Sequence, residues 1–300
     1  NINSTEVNIP NWLKNITVDQ LGEERLSMIS RQIVKEPPID IKIKKEVFQK
    51  LNWEEVLAGK NIFQETIRIN CKSDISKLPF YSEGHWWVQG LSATFPVILI
   101  NEIYKNQKKE EISILDVGAS PGGKSFQLIE SGFKLKSIEI SDARIKKLLK
   151  NLNRLKYETK IINGDFITHK INEKFDCVLI DAPCSASGLI QKKPEMLVIT
   201  KNISELKIKQ KLMLEKASEI LKDGGYLVYC VCSIISSEGK EQIQEFLKNF
   251  KNFSLINCFS SIKSYGMVRN NLPYFFTTPD FLGEHGGIDG FFIACLKKNY

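Results

Sequence analysis

Ile112 to Ser125 read ISILDVGASPGGKS. Ile112, Ile114, Leu115 and Val117 form a short apolar run suited to a strand buried on both faces, with Asp116 near its end. Gly118, Ala119, Ser120, Pro121, Gly122 and Gly123 are small residues, with one proline suited to a first helical turn. From Lys124 the pattern changes to Phe126, Leu128 and Ile129, a helical spacing. A strand, a small-residue loop and a helix make the first half of a nucleotide-type site, because glycines admit a ligand to the backbone and the helix N-terminus offers free N–H groups. The same residues fit the P-loop spacing Gly118-x-x-x-x-Gly123-Lys124-Ser125, with Phe175 to Pro183 (FDCVLIDAP) available as a metal-binding strand. At this point a nucleotide-type ligand site, a P-loop NTPase and a plain strand-to-helix turn all remain open.

Strand and helix patterns alternate beyond this stretch. Lys136–Ile140 reads as a strand ending in Glu139, Asp142–Leu155 as an amphipathic helix, and Lys160–Ile162 as a strand followed by Asn163-Gly164-Asp165. Phe175–Asp181 is a strong strand; Ile203–Leu221 is a helix stopped by Asp223-Gly224-Gly225. Tyr226–Val231 reads as a strand, Ser237–Phe250 as a helix and Ile288–Leu296 as a closing strand. This alternation implies an α/β, mostly parallel, doubly wound sheet, in which ligands sit at the carboxyl ends of the strands. Upstream, Asn11–Val34 is mostly helical, with Thr17-x-x-Gln20 as a capping box, and Pro37-Pro38 ends it. Ile39–Lys44, Val47–Leu57 and Thr66–Asn70 read as strand, helix and strand, a small α+β unit. Phe80, Tyr81, His85, Trp86 and Trp87 crowd into eight residues, more simply a hydrophobic plug between domains than a stacking platform. Leu91–Ile103 reads as the helix leading into the Ile112 strand.

Three hundred residues bury a sizeable core, and 26% charged residues describe a globular chain. A net charge of +7 points to a polyanionic partner, most simply nucleic acid. No apolar run reaches the ~20 residues of a membrane span, so no membrane partner is expected. Seven cysteines without a CxxC pair, and three scattered histidines, support neither a disulfide framework nor a metal site; a reducing cytoplasm fits. Residues 1–9 are polar, and Asn1 in place of an initiating methionine suggests a piece of a longer protein.

Glu139 lies about twenty residues past the glycine loop, where an acidic group can accept from ribose hydroxyls, a group that a P-loop has no need of. Asp165 holds the equivalent place after the next strand, or else shapes a turn. The fourth and fifth strands of the alternation end in Asp181-Ala182-Pro183-Cys184-Ser185 and Tyr229-Cys230-Val231-Cys232-Ser233. Cys177, Cys230 and Cys258 read as small buried hydrophobes. Cys184 and Cys232 stand where strands give way to loops, positions where a thiolate can act as a nucleophile.

DVGASPGGKS, DAPCSASG and YCVCS together resemble the RNA 5-methylcytosine methyltransferases of the RsmB/Sun type, which use S-adenosylmethionine. EPPIDIKIK (Glu36–Lys44), EGHWWVQGLSA (Glu83–Ala93) and HGGIDGFFIACL (His285–Leu296) extend the likeness to bacterial 16S ribosomal RNA members, over nearly the whole chain. The resemblance implies a class I, Rossmann-like methyltransferase domain at residues 91–300. It also implies a small α+β RNA-binding domain at 38–90 and an N-terminal helical segment at 1–37. It places S-adenosylmethionine among Gly118, Ala119, Ser120, Pro121, Gly122, Gly123, Lys124, Glu139, Asp165 and Asp181. It makes Cys232 the nucleophile toward cytosine carbon 6 and Cys184 the group assisting product release. Asp181 would hydrogen-bond the base, and Lys124 would support the local electrostatics. The target base would have to be unpaired or flipped out. An inactive RNA-binding relative is the further alternative, against which both cysteines and Asp181 argue. Several positions depart from the family pattern: Gly118 for cysteine, Glu139 for aspartate, Gly90 after Gln89 where an acidic residue is usual, Val231 for threonine, and Gln191-Lys192 for two arginines. Family members often carry an upstream NusB-like helical domain, for which this sequence has no room.

Overall fold

The computed structural model describes residues 9–71, 74–198, 202–268 and 273–300; the polar opening read at residues 1–9 lies outside them through residue 8. Helices α1 (Asn11–Leu21) and α2 (Glu23–Ile33) precede strand β1 (Ile39–Ile43), the single-turn helices α3 (Lys45–Phe48) and α4 (Trp53–Val56), and strands β2 (Lys60–Phe63), β3 (Thr66–Ile69) and β4 (Trp86–Val88). The alternation follows as α5 (Leu91–Ile103), β5 (Ser113–Val117), α6 (Gly123–Glu130), β6 (Lys134–Glu139), α7 (Asp142–Leu155), β7 (Lys160–Asn163) and β8 (Phe175–Asp181). It continues as α8 (Ile203–Ile220), β9 (Leu221–Val231) and α9 (Lys240–Asn249), and closes with β10 (Phe253–Ile256), β11 (Met267–Val268), β12 (Phe275–Thr277) and β13 (Phe291–Lys298). The chain divides into two compact units: residues 38–170, and residues 171–300 together with the segment up to Pro37.

In the 38–170 unit, β2-β3-β1-β4 form an antiparallel sheet over a core of Ile41, Ile43, Trp53, Ile67, Ile69 and Trp86. Arg68 makes two hydrogen bonds to Asp40, at 2.7 and 3.0 Å, and Asp40 also accepts from the backbone N–H of Leu91 at 2.8 Å. The bond from Leu91 ties the small sheet to the first turn of α5. The aromatic cluster is divided by strand alternation, which sends neighbouring side chains to opposite faces. Trp86 fills the small sheet's core, while Trp87 lies against Phe126, Leu148, Leu152 and Leu155. Trp87 Nε1 donates to Gln89 Oε1 at 2.7 Å, and Gln89 Nε2 donates to Gln127 Oε1 on α6 at 2.6 Å. Instead of one plug between domains, the two tryptophans fill two separate cores within the 38–170 unit. β5, β6 and β7 run parallel in register, with Val117 beside Ile138 and Glu139 beside Asn163.

In the other unit, β8 and β9 are parallel, and Asp181 stands beside Cys230. β13 runs antiparallel to β9, and β12 and β10 flank it antiparallel. The carboxyl-terminal strands thus depart from the parallel rule because they follow one another with no helix to carry the chain back across the sheet. Helix α2 buries Leu26, Ile29 and Ile33 against Ile190, within the segment that follows Cys184.

Several boundaries differ from expectation for local reasons. The first helix is broken at Gly22, whose φ of 79° leaves the helical region. Thr17 is no cap: it sits buried inside α1, its Oγ1 donating to the Leu13 carbonyl at 2.7 Å. The helix expected over Val47–Leu57 is two single turns joined by the indole of Trp53, which donates to the Val47 carbonyl at 3.1 Å. Pro121 is not in the first turn of α6, which opens at Gly123 after a left-handed Gly122. Asp223-Gly224-Gly225 does not precede β9 but lies inside it, where the register against β8 shifts. Helix α9 starts at Lys240 behind a 3-10 turn, and β13 starts at Phe291. The short strands β2, β4, β10, β11 and β12 had no usable period in the sequence.

Candidate active site

Three adjacent parallel strands bring the first group of candidate residues together. The loop after β5 is held to β6 by Gly118 N–H, which donates to the Ile138 carbonyl at 3.0 Å. Glu139 ends β6, only 2% exposed, and its carboxylate organises the surrounding backbone. Oε1 accepts from Ile140 N–H at 3.1 Å and Ser141 N–H at 3.2 Å; Oε2 accepts from Ser120 N–H at 3.4 Å and lies 3.4 Å from Arg144 Nε. Ser120 is further held by Arg144: its Oγ donates to the Arg144 carbonyl at 2.8 Å, and the guanidinium donates to the Ser120 carbonyl at 2.6 Å. Ala119 packs with Trp87 and Phe126, while Pro121 is exposed and its carbonyl accepts from Asn151 at 3.0 Å.

Gly122 is required by space as well as by its φ of +117°: a Cβ there would lie 2.0 Å from the ring of Phe126. Gly123 opens α6 against Gln89, and Lys124 is buried in its first turn. Ser125 is wholly buried, its Oγ donating to Asp116 Oδ2 at 2.5 Å. The hydroxyl that a P-loop turns toward a metal–phosphate ligand is thus committed to the preceding strand. After β7, Gly164 N–H donates to the Glu139 carbonyl at 3.1 Å, which seats Asp165 beside the end of β6. Asp165 Oδ1 accepts from Ile167 N–H at 3.0 Å, so this aspartate also shapes its own turn.

The second group lies in the other unit. Asp181 ends β8, and the thiol of Cys230 lies 3.8 Å from its Oδ1. Ala182 N–H donates to the Cys230 carbonyl at 3.0 Å, and Gly188 N–H donates to the Cys232 carbonyl at 3.1 Å. These bonds place the two cysteine loops side by side, with Cys184 Sγ and Cys232 Sγ 3.4 Å apart. Cys184 is buried, whereas Cys232 is partly exposed. The hydrogen bond with Cys232 holds the Cys184 thiol well above the ordinary thiol range, and burial and the nearby Glu238 push it the same way. Either sulfur can be the donor in their contact, and the upward push keeps Cys184 a thiol. Gly188 has no room for a side chain, since a Cβ would lie 1.9 Å from the Gly290 carbonyl oxygen.

Sequence reasoning missed the group beneath the cysteines. Glu238 is completely buried between the serines that follow each of them. It accepts from Ser185 N–H at 2.8 Å, Ser185 Oγ at 2.5 Å, Ser233 Oγ at 2.6 Å and Gln210 Nε2 at 3.2 Å. Nothing in Ser236-Ser237-Glu238-Gly239 distinguishes it from a solvated helix start. Gln191, at a position where arginine is common in the family, is buried and donates to the Gly286 carbonyl at 2.9 Å. Lys192 is paired with Asp289 at 2.8 Å. Among the described residues no three His, Cys, Asp or Glu side chains gather as a metal site, and no helix is long and apolar enough to cross a membrane.

Comparison with known proteins places this architecture. Residues 103–297 match the family model described as 16S rRNA methyltransferase RsmB/F. Ribosomal RNA small subunit methyltransferase B of Shewanella oneidensis is 30% identical over 300 residues, covering 96% of this chain and 60% of that protein. The protein of the same name from Serratia proteamaculans is 32% identical over 243 residues, covering 79% of this chain and 52% of its own length. The chain therefore spans between about half and three fifths of these relatives. The crystal structure of PH0851 superposes with a TM-score of 0.83 at 26% identity, covering 97% of this chain and 66% of that one.

Proposed function

We propose, for a chain that belongs to the 16S rRNA methyltransferase RsmB/F family, that it transfers a methyl group from S-adenosylmethionine to carbon 5 of a cytosine in RNA, with 16S ribosomal RNA as substrate and the cytoplasm as its place of work. The observation that carries this reading is the pair of sulfurs 3.4 Å apart at the ends of neighbouring strands, one buried and protonated, the other partly exposed. Cys295 pairs with Cys258 from inside a strand, whereas Cys184 and Cys232 both stand in loops at the carboxyl ends of parallel strands, a placement that an RNA-binding protein without activity has no need of.

The donor set at the ends of β5, β6 and β7 fits an S-adenosylmethionine site. Glu139 offers an acidic group at ribose distance from a loop whose backbone, at Gly118 and Gly122, can approach a ligand closely. Gly118, Ala119, Ser120, Pro121, Gly122, Gly123, Lys124, Glu139 and Asp165 are the residues of this unit assigned to it. When bound, the cofactor supplies an electrophilic methyl group. The burial of Ser125 against Asp116 weighs against a P-loop NTPase.

The chain's own residues account for the remaining chemistry. Carbon 5 of cytosine is a poor nucleophile, and addition of the Cys232 thiolate at carbon 6 gives it enamine character. The Sγ–C6 bond forms as the C5–C6 double bond opens. Asp181 hydrogen-bonds the base edge and favours the protonated ring nitrogen that takes up the electron density. Once carbon 5 is methylated its proton passes to water, and the C5–H electron pair restores the double bond as the Sγ–C6 bond breaks and Cys232 leaves as a thiolate. Cys184, held as a thiol beside Cys232, assists that release. Lys124, buried at the first turn of α6, supports the electrostatics of the loop.

Bisulfite sequencing of 16S ribosomal RNA incubated with the protein and S-adenosylmethionine tests the activity: one cytosine converted to 5-methylcytosine is expected, and unmodified RNA contradicts it. Thermal shift tests the cofactor. Ligand at one hundred times its Kd raises stability by about 2.7 kcal/mol, so a shift with S-adenosylmethionine is expected. A shift with magnesium-ATP alone would restore the NTPase reading.

A further inference from the structure

Glu238 is buried and lies outside both strand-end motifs, yet it is the point at which the two cysteine loops meet. Ser185 follows Cys184 and Ser233 follows Cys232; both donate to the same carboxylate oxygen, Glu238 Oε2, at 2.5 and 2.6 Å. The other oxygen accepts from Ser185 N–H at 2.8 Å and from Gln210 Nε2 at 3.2 Å, and the Gln210 amide also donates to the Pro183 carbonyl at 2.9 Å. Ser187 closes the ring, its Oγ 3.0 Å from Ser233 Oγ and accepting from Ile234 N–H at 3.1 Å. From below, Tyr229 OH donates to the Glu238 carbonyl at 2.6 Å and fixes the turn that presents the side chain. Four donors around two oxygens suit an acceptor-only carboxylate; an amide would set its own N–H against one of them.

We propose that Glu238 is a positioning residue that sets the unequal roles of the two thiols: it locks their loops at hydrogen-bonding distance and places a negative charge near Cys184, so that Cys184 stays a thiol and Cys232 is the reactive sulfur. The assignment of reactive sulfur rests on the function proposed above, while the inequality itself does not. Charge and geometry act together. A carboxylate near a buried thiol disfavours its ionisation, in keeping with the upward push that Glu238 exerts on Cys184. A shared hydrogen-bond acceptor prevents the two loops from drifting apart, which would dissolve the bond between the sulfurs.

The test is pH-dependent alkylation of Cys184 and Cys232 by iodoacetamide, followed separately at each cysteine peptide by mass spectrometry, in the full chain without RNA or S-adenosylmethionine. In the wild-type chain Cys232, partly exposed, should react about tenfold or more faster near neutral pH than the buried Cys184, whose thiol is held above the ordinary range. In Glu238→Gln the gap should fall below about threefold as Cys184 begins to react at lower pH, and Glu238→Asp, which keeps the charge, should recover part of it. Tyr229→Phe removes only the bond to the Glu238 main-chain carbonyl, leaves the carboxylate with its four donors, and should keep the gap. A folded Glu238→Gln chain with the gap intact overturns the proposal, and so does a Tyr229→Phe chain in which it collapses equally. Should Glu238→Gln fail to fold, Ser233→Ala, which removes one of the two shared bonds, should narrow the gap; an unchanged gap then overturns the proposal. Loss of methylation with the alkylation gap preserved would count against the methyltransferase reading and leave this inference standing.

Discussion

The glycine-loop end of the 38–170 unit and the two-cysteine end of the other unit are built on opposite plans. At the first, one carboxylate, Glu139, arranges nearby backbone: three of its contacts are N–H groups, two of them from the next two residues in the chain. At the second, one carboxylate, Glu238, gathers side chains and backbone from residues between 5 and 53 positions away. A site made from local backbone is legible in a sequence because its spacing is fixed by the turn itself. A site made by packing distant side chains onto one acceptor leaves no spacing to read.

Both ends depend on glycines that approach other atoms too closely for a side chain. In Gly122→Ala a Cβ would enter the ring of Phe126 at a left-handed φ, and in Gly188→Ala it would enter the Gly290 carbonyl. Each should cost about 1–3 kcal/mol or more of stability, measured as a lower denaturant midpoint. If the comparison is right, Gly122→Ala weakens the shift with S-adenosylmethionine and leaves the Cys232 alkylation rate unchanged, while Gly188→Ala disturbs that rate. An equal effect of either substitution on both measurements would break the comparison.

Alkali should separate the two ends next. Burial holds Cys177 well above the ordinary thiol range; a hydrogen bond with Cys232 and burial do so for Cys184, and a hydrogen bond with Cys258 and burial for Cys295. All three lie in the unit that holds residues 171–300. The native chain keeps protons that the unfolded chain gives up above about pH 8.5, so stability is full below that value and falls above it. The slope is up to about 1.4 kcal/mol per pH unit for each such group. Cys184→Ser should flatten the slope of the thermal midpoint between pH 8.5 and 10; an unchanged slope would mean that Cys184 ionises in the folded chain as it does in the unfolded one.

Glu139→Gln keeps the shape of the β6 end but removes its charge. Affinity for S-adenosylmethionine should fall about tenfold, or 1.4 kcal/mol, in isothermal titration, with little change in alkylation at either cysteine. Unchanged affinity would leave Glu139 as a backbone organiser alone.

The smallest effect concerns charge at the loop after Cys184. Lys193 is exposed, so Lys193→Ala should lower the slope of log affinity against log salt for RNA by about 0.7 to 0.9. Lys192 is paired with Asp289, and its removal should change the slope less. The reverse order would show that the Asp289 pair opens on RNA.

What could be read from the sequence follows the same division. The helices over Leu91–Ile103 and Asp142–Leu155 and the strand over Phe175–Asp181 have the expected bounds, because each carries a strong period or a long apolar run between clear stops. Glu139 and Cys232 were found at strand ends because strand ends are where such a sheet presents chemistry. The break at Gly22, the buried Thr17 and the bulge at Asp223–Gly225 were misread because capping and turn residues serve equally well inside an element when its neighbours satisfy them. Glu238 was missed because a glutamate before an amphipathic helix usually faces water; only folding reveals four donors converging on it. The two tryptophans were read together as one plug, yet β4 sends them into two different cores.

The central claim is that two thiols 3.4 Å apart do opposite jobs. Denaturing electrophoresis of each variant, incubated with labelled 16S ribosomal RNA and S-adenosylmethionine, tests it most directly. Cys184→Ala should accumulate an RNA–protein adduct that survives denaturation, because attack by Cys232 proceeds and release stalls. Cys232→Ala and the double variant should form no adduct and no 5-methylcytosine. An adduct in Cys232→Ala that disappears in Cys184→Ala would reverse the two roles, and methylation intact in both single variants with no adduct in either would contradict thiol catalysis in this chain.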